Sequence, residues 1–197
     1  MMPQQTQDGE TPVDDQHPSL VVLDRDGVIN ADSPDYIKSP AEWHALPGSL
    51  DAIARLCASG FTVVVATNQS GVGRGLFTEQ TLAQIHDEML RQVSEAGGHI
   101  AAVFVCPHAP DAGCDCRKPL PGLMRQIEQQ FGTTLQGAPA VGDSARDIDA
   151  AVAVTARPIL VRTGNGRQTE QQFSESLRPE VFDSLADVAD ALIGRNS

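Results

Sequence analysis

The sequence predicts a single doubly wound α/β domain, a Rossmann-like parallel sheet covered by helices on both faces. Three observations predict it. Short runs rich in valine and isoleucine lack polar alternation, as strands buried on both faces do. Segments with helical periodicity separate these runs, as crossovers between parallel strands require. Acidic and other polar residues gather just beyond the run ends, where ligands of such sheets bind.

The elements follow in order. Residues 1–18 are polar and acidic with three prolines, so a flexible leader is expected there and a folded domain over 19–195. Ser19 to Leu23 reads as a strand ending in Asp24. Ser49 to Ser59 is an amphipathic helix with Leu50, Ile53, Leu56 and Cys57 on one side, stopped by Gly60. Phe61 to Ala66 is an apolar strand, Thr78 to Ala96 a longer helix, and Ile100 to Val105 another strand. Pro121 to Phe131 is helical, Ala138 to Val141 a strand, and Ser144 to Val154 helical. Pro158 to Val161 is a further strand, and Val181 to Ile193 holds a short strand and a last helix.

The chain has 197 residues, 41% of them hydrophobic and 20% charged, which suits one globular domain with a substantial core. No apolar run approaches the ~20 residues that cross a bilayer, so neither a membrane partner nor an export signal is expected. A cytoplasmic monomer is the expectation. A net charge of −12 without a basic cluster repels phosphate backbones and argues against nucleic acid.

Four strand ends carry residues suited to one chemistry: Asp24-Arg25-Asp26-Gly27, Thr67-Asn68-Gln69-Ser70, Arg117-Lys118, and Gly142-Asp143-Ser144 with Asp147 a turn later. A carboxylate can attack phosphorus and split one hard hydrolysis into two easier steps, and Asp24 sits where it could. Asp26 is the matching acid, then base, for the leaving oxygen and the attacking water. Two carboxylates would repel a phosphate, so a hard cation is expected: Mg²⁺ held by Asp24, Asp143 and the backbone carbonyl of Asp26. The Thr67 hydroxyl and the Lys118 ammonium suit the charge on the transferring group. Each motif alone has a plainer reading, as a cap, a turn or a solvated loop. Their joint order at successive strand ends is what points to a site.

Three of the four cysteines are clustered. Cys106, His108, Cys114 and Cys116 form a Cys₃His set on one loop, which suits a closed, structural Zn²⁺. The loop delivers Arg117 and Lys118 directly after its last ligand. Cys57 reads as core, and His17, His44, His86 and His99 show no partner pattern.

In Asp24-x-Asp26, Thr67, Lys118 and Gly142-Asp143-x-x-x-Asp147 the chain resembles the haloacid dehalogenase superfamily of phosphohydrolases, across roughly Leu20 to Val161. The resemblance implies that Asp24 is the nucleophile and Asp26 the general acid and base. The intervals between motifs leave no room for a separate cap domain. Loops at Asp32 to Tyr36, Gly71 to Phe77 and the cysteines are expected to shape the pocket instead.

Asp-Arg-Asp-Gly-Val-Ile-Asn, Thr-Asn-Gln-Ser and Cys-Pro-His with Cys-Asp-Cys-Arg-Lys-Pro further resemble the zinc-loop subgroup that includes histidinol-phosphate phosphatases. This implies a small sugar bisphosphate, a heptose 1,7-bisphosphate losing its 7-phosphate, in nucleotide-heptose and lipopolysaccharide synthesis. Substrate binding by Asp24, Arg25, Asp26, Thr67, Asn68, Gln69, Ser70, Arg117 and Lys118 is implied with it. Arg117 is the cation placed to meet a second phosphate, with Arg74 behind it. Ser144 stands where some relatives have Lys. An amino-alcohol phosphate such as histidinol phosphate is the alternative, and Ser70 in place of an acidic residue speaks against it. A silent binding protein of the same fold is the other alternative, which the full set of Asp24, Asp26, Lys118 and Asp143 opposes.

Overall fold

The computed structural model describes residues 19–173 and 179–196; the expected leader lies outside them. Six parallel strands form one sheet: β1 (Ser19–Leu23), β2 (Phe61–Asn68), β3 (Ile100–Cys106), β4 (Pro139–Gly142), β5 (Arg157–Val161) and β6 (Glu180–Phe182). Their spatial order is β3-β2-β1-β4-β5-β6. Between them run α1 (Ser49–Ala58), α2 (Ser70–Gly73), α3 (Glu79–Glu95), α4 (Gly122–Phe131), α5 (Ala145–Val152), α6 (Gly166–Glu170) and the closing α7 (Leu185–Asn196).

The two-residue period of a strand divides the core. Val21 and Leu23 of β1 join Val63 and Val65 of β2 on one face, packed by Ile53 and Leu56 of α1, Ile85 and Met89 of α3, and Val188 and Leu192 of α7. Leu20, Val22, Val64 and Ala66 point the other way, onto Leu123 and Ile127 of α4 and Ala150 and Ala151 of α5. Burying each large aliphatic side chain contributes about 1.5–3 kcal/mol, which explains why the central strands are apolar throughout.

Boundaries differ from expectation for local reasons. Strand β2 continues to Asn68 because its ladder with β3 persists to the Asn68–Cys106 pair. Helix α1 stops a residue early, with Ser59 as its cap and Gly60 at φ +87°, a left-handed turn that glycine favours. The short helices α2 and α6 gave no periodic signal, being about one turn long and glycine-containing.

Among the described residues no cap domain is inserted. The stretch from β1 to α1 holds only the 3₁₀ turn Pro40–Glu42. From β1 the chain moves to β2 on one side, and β4 later joins β1 on the other. The connections leaving β1 and β4 therefore diverge and open a crevice at their carboxyl ends.

Candidate active site

That crevice is a cavity of about 330 Å³, and the motif residues converge on it. Asp24, Arg25, Asp26, Thr67, Asn68, Gln69, Ser70, Arg117, Lys118 and Asp143 all line it. Asp24 follows β1 directly, its N–H bonded to Val141 of β4 at 2.9 Å, so the sheet itself fixes its position.

Lys118 is the electrostatic centre. It is 2% exposed, and its Nζ meets Asp24 Oδ1 at 3.0 Å, Asp147 Oδ1 at 2.5 Å and the Ala66 carbonyl at 2.7 Å. Those three partners match the three donors of an ammonium. Asn68 secures the Lys118 backbone, donating to its carbonyl and accepting from its N–H, both at 3.1 Å. Asn68 thus holds the lysine, a role beyond the substrate contact expected of it. Asp147 also closes a capping box with Ser144 at the start of α5, so Ser144 serves the helix.

Asp143 is clamped from three directions. The Asn165 N–H and side-chain amide reach its Oδ2 at 2.8 and 3.1 Å. Gly27, at φ +80°, lies so close that a Cβ there would sit 2.1 Å from Asp143 Oδ2. That glycine is required by both space and backbone conformation.

Asp26 belongs to a separate network. Arg25 grips it with contacts of 2.9 Å to each oxygen, Asn30 donates to Oδ1 at 2.9 Å, and Gln69 donates to Oδ2 at 2.8 Å. Gln69 also reaches Thr67 Oγ1 at 2.9 Å, tying β2 to the loop after β1. The Arg25 side chain, 1% exposed, is therefore occupied by Asp26 and by His86, so its guanidinium supports the acid.

The acids titrate differently. Burial pushes Asp24 well above the usual carboxylate range; Lys118 opposes this, while Asp147, Asp143 and Asp26 add to it. Burial raises Asp143 to about 6, partly offset by Asn165. Burial would raise Asp26 too, but the Arg25 charge and bonds from Asn30, Arg25 and Gln69 hold it below the usual range. Asp147 is likewise held low, its burial outweighed by Lys118.

Oxygens of Asp24, Asp143 and Asp147 lie within 4.8 Å of one another. Three carboxylates against one ammonium leave a buried negative excess. An all-oxygen donor set of that charge fits a hard divalent cation. Geometry thus adds Asp147 to the expected Asp24 and Asp143, and its carboxylate joins their oxygens while also holding Lys118.

The cysteine loop gathers as expected. Ligand atoms of Cys106, His108, Cys114 and Cys116 lie within 4.8 Å of one another. Sulfur–sulfur distances are 3.1 Å for Cys106–Cys116 and 3.7 Å for Cys106–Cys114, and His108 Nδ1 is 3.2 Å from Cys116 Sγ. A tetrahedron with metal–sulfur bonds of ~2.3 Å has edges of about 3.8 Å, so the cluster is near that size, with the Cys106–Cys116 edge shorter.

Four participants escaped the sequence reading. Asn165 had a readable signal in Gly164-Asn165-Gly166 beyond β5. Arg146, which lines the cavity beside Arg117, looked like any exposed helical arginine. His86 gave no local sign, and Asp147 was placed in a motif without a role. Arg74 does line the cavity, and so do Asp32 and Tyr36 of the loop expected to shape it.

The fold and this crevice define a hydrolase of the haloacid dehalogenase type. The HAD-hydrolase-like family model matches residues 115–188. A D-glycero-beta-D-manno-heptose-1,7-bisphosphate 7-phosphatase of Bordetella bronchiseptica is 54% identical over 174 residues, 88% of this chain and 97% of that protein. One of Pseudomonas aeruginosa is 51% identical over 178 residues, covering 89% and 98%. The crystal structure of the D,D-heptose 1,7-bisphosphate phosphatase from B. bronchiseptica, complexed with magnesium and phosphate, aligns with TM-score 0.87 and 53% identity, covering 89% of this chain and 98% of that one. The chain belongs to the HAD-like hydrolases, in the family of these phosphatases.

Proposed function

We propose that the protein removes the 7-phosphate from D-glycero-β-D-manno-heptose 1,7-bisphosphate by way of an aspartyl phosphate on Asp24, within nucleotide-heptose synthesis for lipopolysaccharide. The observation that carries this reading is the placement of Asp24. Its carboxylate faces the cavity at the end of β1, with Lys118 at 3.0 Å and Asp26 lining the same wall. The relatives' names supply the sugar and its β anomer.

Asp24 attacks the 7-phosphoryl phosphorus in line with the departing sugar oxygen. Lys118 and the Thr67 hydroxyl meet charge on the equatorial oxygens. Asp26 delivers a proton to the leaving oxygen and then takes one from the water that cleaves the acyl phosphate. Arg25 keeps Asp26 charged before substrate binds, ready as a base. The incoming anionic phosphoryl group raises its proton affinity and lets it carry the proton inward.

Asp24, Asp143 and the Asp26 backbone carbonyl would hold Mg²⁺, with Asp147 alongside; when bound, the ion would neutralise phosphate charge that these acids would otherwise repel. Cys106, His108, Cys114 and Cys116 would hold Zn²⁺ as a structural staple. Arg117, Arg74 and Arg146 line the cavity mouth as cations in an otherwise acidic chain, a fitting place for the phosphate at C1. Ser70, buried at the start of α2, offers no charge to an amino-alcohol substrate.

The test is a kinetic comparison with Mg²⁺ of both heptose bisphosphate anomers and histidinol phosphate. The β anomer is expected to have the highest kcat/KM. Preference for histidinol phosphate, or silence toward every ester, would overturn the reading.

A further inference from the structure

An aspartate that serves a leaving oxygen must be aimed, because its short side chain has two free torsions. Arg25 aims Asp26, with Nε and Nη2 contacts at 3.2 and 2.9 Å to Oδ1 and 2.9 Å to Oδ2. Arg25 is itself long and almost fully buried, so its own head needs an anchor. Its Nη1 lies 3.2 Å from Nε2 of His86, the acceptor found for that nitrogen among the described residues.

His86 stands on α3, between Ile85 and Met89, which are fully buried in the core against β2. The imidazole is thus tied to a rigid helix, while Arg25 and Asp26 lie on the loop after β1. We propose that His86, acting through Arg25, is a positioning residue for the Asp26 carboxylate. This rests on the acid–base role read for Asp26 above.

Physical chemistry supports the arrangement. A guanidinium N–H buried without an acceptor is penalised, so a nearby acceptor fixes where the group settles. Burial and then the Arg25 charge hold His86 down at about 4, which keeps the ring neutral and its Nε2 able to accept. A bidentate guanidinium held at its far end transmits that anchor to the carboxylate as a fixed plane.

The test uses the leaving group. An alkoxide needs the proton from Asp26, whereas p-nitrophenolate departs without one. With kcat/KM counting only steps up to phosphoryl transfer, the two esters separate aim from overall integrity. His86→Leu is expected to lower kcat/KM for the sugar phosphate by about 30-fold, part of the 10²–10⁴ that general acids supply, and for p-nitrophenyl phosphate by under about 3-fold. His86→Gln, which keeps an acceptor, is expected to restore the sugar phosphate to within about 3-fold of the parent. Arg25→Lys breaks the same chain from its other end and is expected to reproduce the selective loss. It also guards against a leucine variant that folds poorly, which a thermal melt would reveal.

Equal losses on both esters, or none on either, would overturn the proposal while Asp26→Asn still discriminates between them. If Asp26→Asn itself shows no discrimination, the acid–base reading fails and the proposal goes with it.

Discussion

The carboxylate crevice and the cysteine loop each bring together residues that could hold a metal ion, yet they balance charge in opposite ways. In the crevice the chain supplies its own cations: Lys118 sits between Asp24 and Asp147, and Arg25 covers Asp26. In the loop, four ligand atoms crowd together with no cation among them, and burial followed by neighbouring thiols pushes Cys116 up to about 12. The first region can keep its shape without an ion. The second needs one to hold its thiolates together. The difference teaches that loss of Mg²⁺ should appear mainly in turnover with only a small change in stability, and loss of Zn²⁺ mainly in stability.

The sharpest way to break that contrast is at Asp24. Asp24→Asn is expected to cut turnover at least about a thousand-fold, as loss of a nucleophile does, while the melting temperature stays near that of the parent. Unfolding of this variant would show that the crevice leans on its charges for structure.

The loop comes next. Cys116→Ser, or stripping the zinc with a chelator, is expected to lower stability by about 3 kcal/mol or more, some 6–12 °C in Tm for a chain this size. An unchanged melt with the metal verified absent would erase the distinction between the regions.

Arg117 bridges the two, following the last ligand and lining the cavity. Arg117→Ala is expected to raise KM for the bisphosphate about ten-fold, the scale of one charged contact, and to leave a monophosphate ester nearly unaffected. Equal effects on both esters would move Arg117 from the second phosphate to the reacting one.

The smallest effect concerns pH. Asp143 has its folded pKa raised to about 6, so its stabilising share is complete below the unfolded value near 3.8 and is lost as pH rises through about 6. Metal-free protein therefore carries this burden at neutral pH, and Mg²⁺ relieves it. Added Mg²⁺ should raise Tm by more at pH 7.5 than at pH 5, and the reverse order would contradict the burial argument.

Much of this was legible because strands announce themselves. Continuous runs such as Val63-Val64-Val65 marked the sheet, and polar residues directly after them marked its carboxyl edge. Asp24, Thr67 and Asp143 followed from that rule, Lys118 from its place directly after the last cysteine, and the Cys/His set from spacing on one loop. What stayed hidden depends on contacts across long separations. Nothing beside His86 hints that the next loop over holds Arg25, and nothing beside Asn68 hints that it clasps the Lys118 backbone. Arg25 was expected to bind substrate from its place in the motif, and nothing in that motif showed that its buried guanidinium also grips Asp26. The short helices α2 and α6 lacked the length on which periodicity depends.

The central claim is that Asp24 itself carries the phosphoryl group between the two half-reactions. Acid quenching a single turnover of sugar bisphosphate labelled in its 7-phosphate tests it directly, with the Asp26→Asn variant, loaded from labelled p-nitrophenyl phosphate whose leaving group needs no proton, included to slow release. Label on the peptide containing Asp24 is the predicted result. Labelled phosphate released without any label ever resident on the protein would contradict the account.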